Sequence, residues 1–156
     1  MTETNDNSLV IERSFDAPAE LIWQMWTDPA HFASWYGPMG ASIPTCEHDV
    51  QVGGKRLVCM QMQTPNGEMQ MWFAGEFLEV VENQRLVYTD SMSDENGNAM
   101  PAPEGHPGTT QVIVELEEVD GKTKMTMTHV GVDADSPGAM GWNMAIDKLT
   151  THVGAQ

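Results

Sequence analysis

The amino-acid sequence predicts an α+β fold in which a curved antiparallel sheet of about seven strands wraps around a long C-terminal helix, with two short helices after the first strand. From residue 42 onward, apolar residues recur with a period of two, as in half-buried strands. Turns that contain glycine or asparagine separate most of these stretches, which favours an antiparallel meander. Residues 136–153 then change to helical spacing and present an apolar face that needs a partner surface.

The N-terminal part is predicted to contain a strand followed by two short helices. Residues 9–15 alternate as a strand does, and the Asp-Ala-Pro sequence at 16–18 supplies capping and first-turn chemistry for a helix. The Thr-Asp-Pro sequence at 27–29 ends that helix and begins a second one, which the Tyr-Gly-Pro sequence at 36–38 terminates. We expect residues 1–7 to form a disordered tail and residues 8–156 to form a single domain.

The middle of the chain is predicted to form six further strands, near Thr45–Val50, Arg56–Gln63, Gln70–Val80, Leu86–Ser91, Thr109–Glu117 and Lys124–His129. The long connection Met92–Gly108 is rich in glycine and proline, which prevents regular pairing. It is therefore expected to be more mobile than the sheet, as a lid over a cavity or as a tolerated insertion.

The first hairpin allows a prediction of register. A turn centred on the second glycine of the Gly-Gly pair would place Cys46 opposite Met62 and His48 opposite Met60, all on one face of the sheet. Cys59 would then point to the opposite face. Two cysteines are too few for a disulfide framework and are not spaced as metal ligands, so we expect two reduced thiols and no metal site.

The final helix begins at a capping signal, because Ser136 suits an N-cap and Pro137 suits the first helical position. Five apolar residues then recur and are predicted to face the sheet: Met140, Trp142, Ile146, Leu149 and Val153. On the strands before it, the inward residues are expected to be Val112, Val114, Leu116, Met125, Met127 and His129.

Charge restricts the classes of partner. The chain has 23 acidic and 7 basic residues, for a formal net charge of −16, which would repel nucleic acids and anionic membranes. The first seven residues lack the pattern of a secretory signal, and no apolar run reaches membrane-spanning length. We therefore expect a cytoplasmic protein without a nucleic-acid or membrane partner.

Several short motifs resemble one family in combination. They are Phe15-Asp16-Ala17-Pro18, Trp26-Thr27-Asp28-Pro29, Trp35-Tyr36-Gly37-Pro38, the stretch from Asp49 to Arg56, the stretch from Arg85 to Thr89, and Gly141-Trp142. Together they are similar to the activator of Hsp-90 ATPase homologue family, in the START and pollen-allergen (SRPBCC) superfamily. The resemblance implies the helix-grip, START-like fold. Relatives in the superfamily include lipid and hormone binders and polyketide cyclases, and the eukaryotic family member is a co-chaperone, so the resemblance leaves function open.

A ligand cavity is predicted between the curved sheet and the final helix. Thirteen methionines are available, and methionine side chains adapt to varied apolar ligands. The predicted lining residues for a small apolar or aromatic molecule are Trp35, Met60, Met62, Phe77, Met125, Met127, His129, Met140 and Trp142. The alternative is that these side chains simply fill the core. No cofactor motif is present, and none is expected to be needed.

Two further functions stay open at this stage. His48 and His129 are the histidines predicted to face inward, and either could act as a general acid or base in a cyclase-like or hydrolase-like enzyme. The other alternative is a protein-interaction module that acts on an Hsp-90-type chaperone, and a homodimer is also compatible with the pattern. If the protein is an enzyme, both histidines should meet in one cavity. If it is a chaperone module, the outer face of the sheet should expose an apolar patch.

Overall fold

The computed structural model describes residues 8–98, 100 and 109–156 and shows seven strands and three helices within them. In chain order the elements are β1 (Ser8–Phe15), α1 (Ala19–Thr27), α2 (Pro29–Trp35), β2 (Ser42–His48), β3 (Lys55–Thr64), β4 (Gly67–Val81), β5 (Arg85–Ser93), β6 (Thr109–Val119), β7 (Lys122–Val130) and α3 (Pro137–Gly154). The strands form one antiparallel sheet in the order β1-β7-β6-β5-β4-β3-β2. This arrangement confirms the predicted α+β architecture. The predicted tail at 1–7 lies outside the described residues.

The inner face of the sheet, defined here as the face that packs against the helices, carries the hydrophobic core. Val112 and Val114 on β6 and Met125, Met127 and His129 on β7 are all buried there, as their alternation predicts. Lys122 and Lys124 lie on the other face and are exposed. No helix in the described parts of the chain is long and apolar enough to cross a membrane.

The N-cap of helix α3 is Ser136, whose Oγ accepts a hydrogen bond from the backbone N–H of Ala139 at 3.2 Å, as the capping signal predicts. Six residues form its buried stripe: Ala139, Trp142, Ala145, Ile146, Leu149 and Val153. The prediction that Met140 faces the sheet is wrong, because this side chain is 63% exposed. Met140 precedes Trp142 by two residues, which is about 200° of helical rotation and places it on the opposite side of α3.

The helix α1 has a cap that the sequence did not indicate. The Asp-Ala-Pro sequence at 16–18 does not supply the predicted cap, because the N-cap residue is Pro18 and no side chain of this sequence makes a capping hydrogen bond. Instead Glu118, at the end of β6, accepts a hydrogen bond from the Ala19 N–H at 2.7 Å. The next helix, α2, has a local cap, because Asp28 Oδ1 accepts a hydrogen bond from Ala30 N–H at 2.9 Å.

The register of the first hairpin differs from the prediction. Cys46 pairs with Val58, four residues before its predicted partner. The turn is centred on Val52 instead of Gly54, and Gly54 N–H closes it by donating to the carbonyl of Gln51 at 2.8 Å. Phe77 also holds the Gly-Gly pair, because its carbonyl accepts from Gly53 N–H at 2.8 Å and its N–H donates to the carbonyl of Gly54 at 2.9 Å. A side chain at Gly54 would lie 1.9 Å from a backbone oxygen, so the loop requires glycine there.

An even shift in register keeps every side chain on its predicted face. Cys46 therefore still faces inward, and Cys59 faces the other way, paired with Thr45. Both cysteines are free, which confirms the prediction of two thiols.

The connection after β5 is described only in part. Asp94 closes a tight turn, because its Oδ1 accepts hydrogen bonds from the backbone N–H groups of Asn96 and Asn98, both at 2.9 Å. This turn packs against the outer face of the sheet, near Leu57. Residues 99 and 101–108 lie outside the described residues, so the predicted mobility and lid role of Met92–Gly108 stay predictions.

Candidate functional site

A buried ion pair lies on the inner face of the sheet, among apolar and aromatic side chains. Arg56 on β3 donates from Nη1 to Oδ1 of Asp90 on β5 at 2.9 Å, and Arg56 is only 2% exposed. Register explains its position, because Arg56 pairs with His48 and alternates with the fully buried Val58. Burial raises the pKa of Asp90, while the charge and hydrogen bond of Arg56 oppose that change.

Aromatic rings enclose the guanidinium group. Its central carbon lies 4.1 Å from the ring centroid of Tyr88 and 5.8 Å from that of Phe32, in the range of cation–π contacts. Phe32 in turn stacks on Tyr36 with the centroids 4.6 Å apart. Rings from α2, from the residue that follows it and from the sheet therefore shape the space around Arg56.

Three donors in this region have no hydrogen-bond partner within the described part of the chain. They are Nε of Arg56, which is fully buried, and the hydroxyl groups of Tyr36 and Tyr88, for which full burial is not shown. Burial raises the pKa of both tyrosines, and the negative charge of Asp90 raises them further. Both phenols are therefore neutral at physiological pH and can donate a hydrogen bond to an acceptor.

A chain of hydrogen bonds connects this cluster to α3. Trp142 Nε1–H donates to Nδ1 of His129 at 2.8 Å, so the ring proton of His129 lies on Nε2 and is donated to Oγ1 of Thr110 at 2.7 Å. Thr110 donates to the backbone carbonyl of Asp90 at 3.1 Å. Burial, with the Arg56 charge as the second cause, lowers the pKa of His129 to about 4. His129 is thus neutral, and both of its ring nitrogens are occupied.

The other candidate histidine is also engaged on both nitrogens. His48 Nδ1–H donates to the carbonyl of Thr27 at 3.2 Å, and Nε2 lies 3.6 Å from Cys46 Sγ. Burial and the Arg56 charge lower the pKa of His48 to about 4, whereas burial raises the pKa of Cys46 to about 11. Proton transfer from this thiol to this imidazole is strongly uphill, so the pair does not form an activated nucleophile. Among the described residues, no contact joins His48 to His129.

The predicted lining residues are brought together with the exception of Met140. Trp35, Met60, Phe77, Met125, Met127, His129 and Trp142 are buried in the same core, and Met62 is partly buried against it. Phe77 contacts His48 with the ring centroids 5.8 Å apart. Met140 lies on the exposed side of α3, away from these residues.

The predicted lining omitted two large buried residues of this core, Trp26 and Phe32, and the ion pair between Arg56 and Asp90. Trp26 lies between predicted residues, with its ring centroid 4.8 Å from Trp35 and 5.9 Å from Trp142, and it donates to Met125 Sδ at 3.3 Å. Phe32 covers Arg56. The alternation of inward and outward residues along β3 indicates that Arg56 lies on the inner face, and this pattern could have identified it.

The outer face of the sheet carries a separate open groove of about 570 Å³. Its lining includes Lys55, Leu57, Ala74 and Thr89, which all point away from α3, and Asn96 from the turn after β5. No group of three or more histidine, cysteine or acidic side chains suited to a metal ion occurs in the part of the chain that the structure describes.

Comparison with known proteins gives the family. The model of the family described as activator of Hsp90 ATPase homolog 1-like protein matches residues 16–154. The chain belongs to this family. Family membership confirms the resemblance and agrees with the helix-grip fold seen here. No match is found among curated proteins.

Solved structures similar to this family member have the same fold. A crystal structure of a protein from Chromobacterium violaceum is 25% identical, with a TM-score of 0.78 over 94% of this chain and 96% of that one. One from Nitrosomonas europaea is 24% identical, with a TM-score of 0.77 over 99% of both chains. The AHSA1 protein from Silicibacter pomeroyi is 19% identical, with a TM-score of 0.71 over 95% of this chain and 98% of that one.

Proposed function

We propose that this protein is a binding domain that takes a small apolar or aromatic molecule between its curved sheet and α3. The observation that carries the proposal is the Arg56–Asp90 ion pair, which lies on the inner face of the sheet with Arg56 almost fully buried. Removing two charges from water costs several kcal/mol for each ion, and well-packed apolar residues usually serve stability as well or better. A few oriented polar groups among aromatic and apolar side chains are, in contrast, typical of small-molecule sites.

The walls of the proposed site come from the buried predicted residues. They are Trp35, Met60, Phe77, Met125, Met127, His129 and Trp142, with Met62 at the margin. Methionine has three rotatable side-chain bonds and can move to admit an apolar molecule. We therefore expect binding to rearrange methionine side chains more than the backbone.

The enzymatic alternative has weaker support. Both ring nitrogens of His129 and of His48 already have partners, so neither presents a free base to a bound molecule. The family description supports a chaperone contact as a second candidate, and the exposed apolar residues of the outer face include Val10 and Val119. Binding of an Hsp90-type chaperone that survives loss of the interior site would favour that candidate.

Native mass spectrometry of protein purified gently from its host tests the proposal. We expect a small molecule to co-purify and dissociate on activation in the gas phase. Met60→Phe should fill the proposed site and abolish this adduct. Met69→Phe is the matched control, because Met69 lies on the adjacent strand and is 45% exposed. The proposal fails if the native protein carries no adduct and binds no aromatic probe at micromolar concentration.

A further inference from the structure

We infer that the molecule bound between the curved sheet and α3 is neutral and presents a carbonyl oxygen, or an equally strong acceptor, to Arg56, Tyr36 and Tyr88. This inference rests on the proposed function and names the chemical class of its ligand. The donors that lack partners, the charge already present and the aromatic surroundings of Arg56 support it.

The unpartnered groups of this cluster are donors. Nε of Arg56 is buried without a hydrogen-bond partner, and the hydroxyl groups of Tyr36 and Tyr88 have none among the described residues. A buried donor that loses its water without gaining an acceptor is unfavourable. A single oxygen with two lone pairs, placed among these groups, would satisfy two of them directly.

The charge of the cluster favours a neutral acceptor over an anion. Arg56 is already paired with Asp90 at 2.9 Å. The neighbouring Cys46 and His48 are uncharged at neutral pH, because burial disfavours the charged form of each. A carboxylate ligand would place a second negative charge beside Asp90 in a poorly screened interior, against one positive charge.

The aromatic and apolar side chains around the cluster favour a ligand with an apolar or aromatic body. Tyr88 and Phe32 contact the guanidinium group at centroid distances of 4.1 and 5.8 Å, and Phe32 stacks on Tyr36. These ring faces already contact each other or the guanidinium group, so a ligand would meet the rings at their edges while its oxygen reaches the donors. Aryl ketones are the simplest molecules that combine these features.

Three probes of similar shape test the inference: 2-acetylnaphthalene as the neutral ketone, 2-ethylnaphthalene without an acceptor, and 2-naphthoate as the anion. We expect the ketone to bind at least about tenfold more tightly than either of the others. In the Tyr36→Phe/Tyr88→Phe double variant, which keeps both rings, the preference for the ketone over the hydrocarbon should fall about tenfold, as expected for two lost hydrogen bonds. The unfolding midpoint of each variant shows whether it is folded, and the two single variants provide the measurement if the double variant is not.

A spectroscopic readout is available because Tyr36 and Tyr88 are the two tyrosines of the chain. Labelling tyrosine with carbon-13 at Cζ therefore gives two NMR signals, both from this cluster. The ketone should shift both signals, and the hydrocarbon should shift them much less, because only the ketone accepts from the hydroxyl groups.

The outcomes separate this inference from the proposed function. If the ketone and the hydrocarbon bind equally and the tyrosine variants change nothing, the acceptor is wrong while the binding site stands. If 2-naphthoate binds most tightly, the neutral class is wrong. If none of the probes binds, the inference fails, and the proposed function fails with it if the native protein also carries no adduct.

Discussion

Removing one member of the Arg56–Asp90 pair should destabilise the protein far more than removing both. Asp90→Asn leaves the guanidinium charge buried without its counter-charge, and the side chains of Arg56 and Asp90 are only 1% and 10% exposed. For such pairs the loss of one partner costs about 3–5 kcal/mol, whereas an apolar replacement of both is often neutral or stabilising. We therefore expect Asp90→Asn and Arg56→Met each to lower the free energy of unfolding by about 3–5 kcal/mol. Arg56→Met/Asp90→Leu should lie within about 1 kcal/mol of the native protein.

Urea unfolding at pH 7 and 25 °C measures these free energies and gives the coupling between the two sites. The matched control is the pair Arg85–Glu115, which is shorter at 2.7 Å but has side chains 35% and 52% exposed. Solvent screening should keep the loss of Glu115 below about 1 kcal/mol. Additive effects of the two single Arg56 and Asp90 variants, or equal losses at the buried and the exposed pair, would refute the argument from burial.

Two further predictions concern acid and the packing of α3. The pKa values of His48 and His129 fall from 6.5 to about 4 on folding, so the unfolded chain binds more protons between these values. The free energy of unfolding should therefore be highest above pH 6.5 and should fall by about 3 kcal/mol for each histidine as the pH falls to 4. Urea unfolding across this pH range measures the effect, and His129→Gln should reduce the dependence of the free energy of unfolding on pH. Trp142→Ala should cost about 3–5 kcal/mol and Met140→Ala less than about 0.5 kcal/mol, because only Trp142 is buried; equal losses would contradict the assigned helix face.

The sequence predicted the fold because its evidence was local and repeated. Alternation along each strand determined which residues face inward, and this result was insensitive to the error in register at the first hairpin. That error arose because the turn is centred on Val52, two residues before the predicted centre, where Gly53 and Gly54 also form hydrogen bonds with Phe77, a contact distant in sequence. Likewise, the cap of α1 comes from Glu118, and no local pattern indicates a cap supplied across the fold.

The candidate site was less predictable because its properties depend on which neighbours each side chain finds. Parity placed His48 and His129 inward, but three of the partners that occupy their nitrogens, Thr27, Trp142 and Thr110, lie on other elements. Only Cys46 is a local partner, two residues before His48 on the same strand. The position of Met140 was misjudged for a different reason. Met140 is apolar like the residues of the buried stripe, but it lies about 200° around the helix from Trp142 and is therefore exposed.

The hydrogen-bond chain from α3 to the ion pair links the grip of the helix to the electrostatics of the site. Trp142 fixes the tautomer of His129, His129 donates to Thr110, and Thr110 donates to the backbone carbonyl of Asp90, the residue that neutralises Arg56. A protonated His129 cannot accept from Trp142, so acid should weaken the attachment of α3 at the same time as it adds a second positive charge near Arg56. The conditions that loosen the helix are therefore the conditions that make the interior favour an anion, and the preference for a neutral acceptor should hold only where α3 is firmly packed.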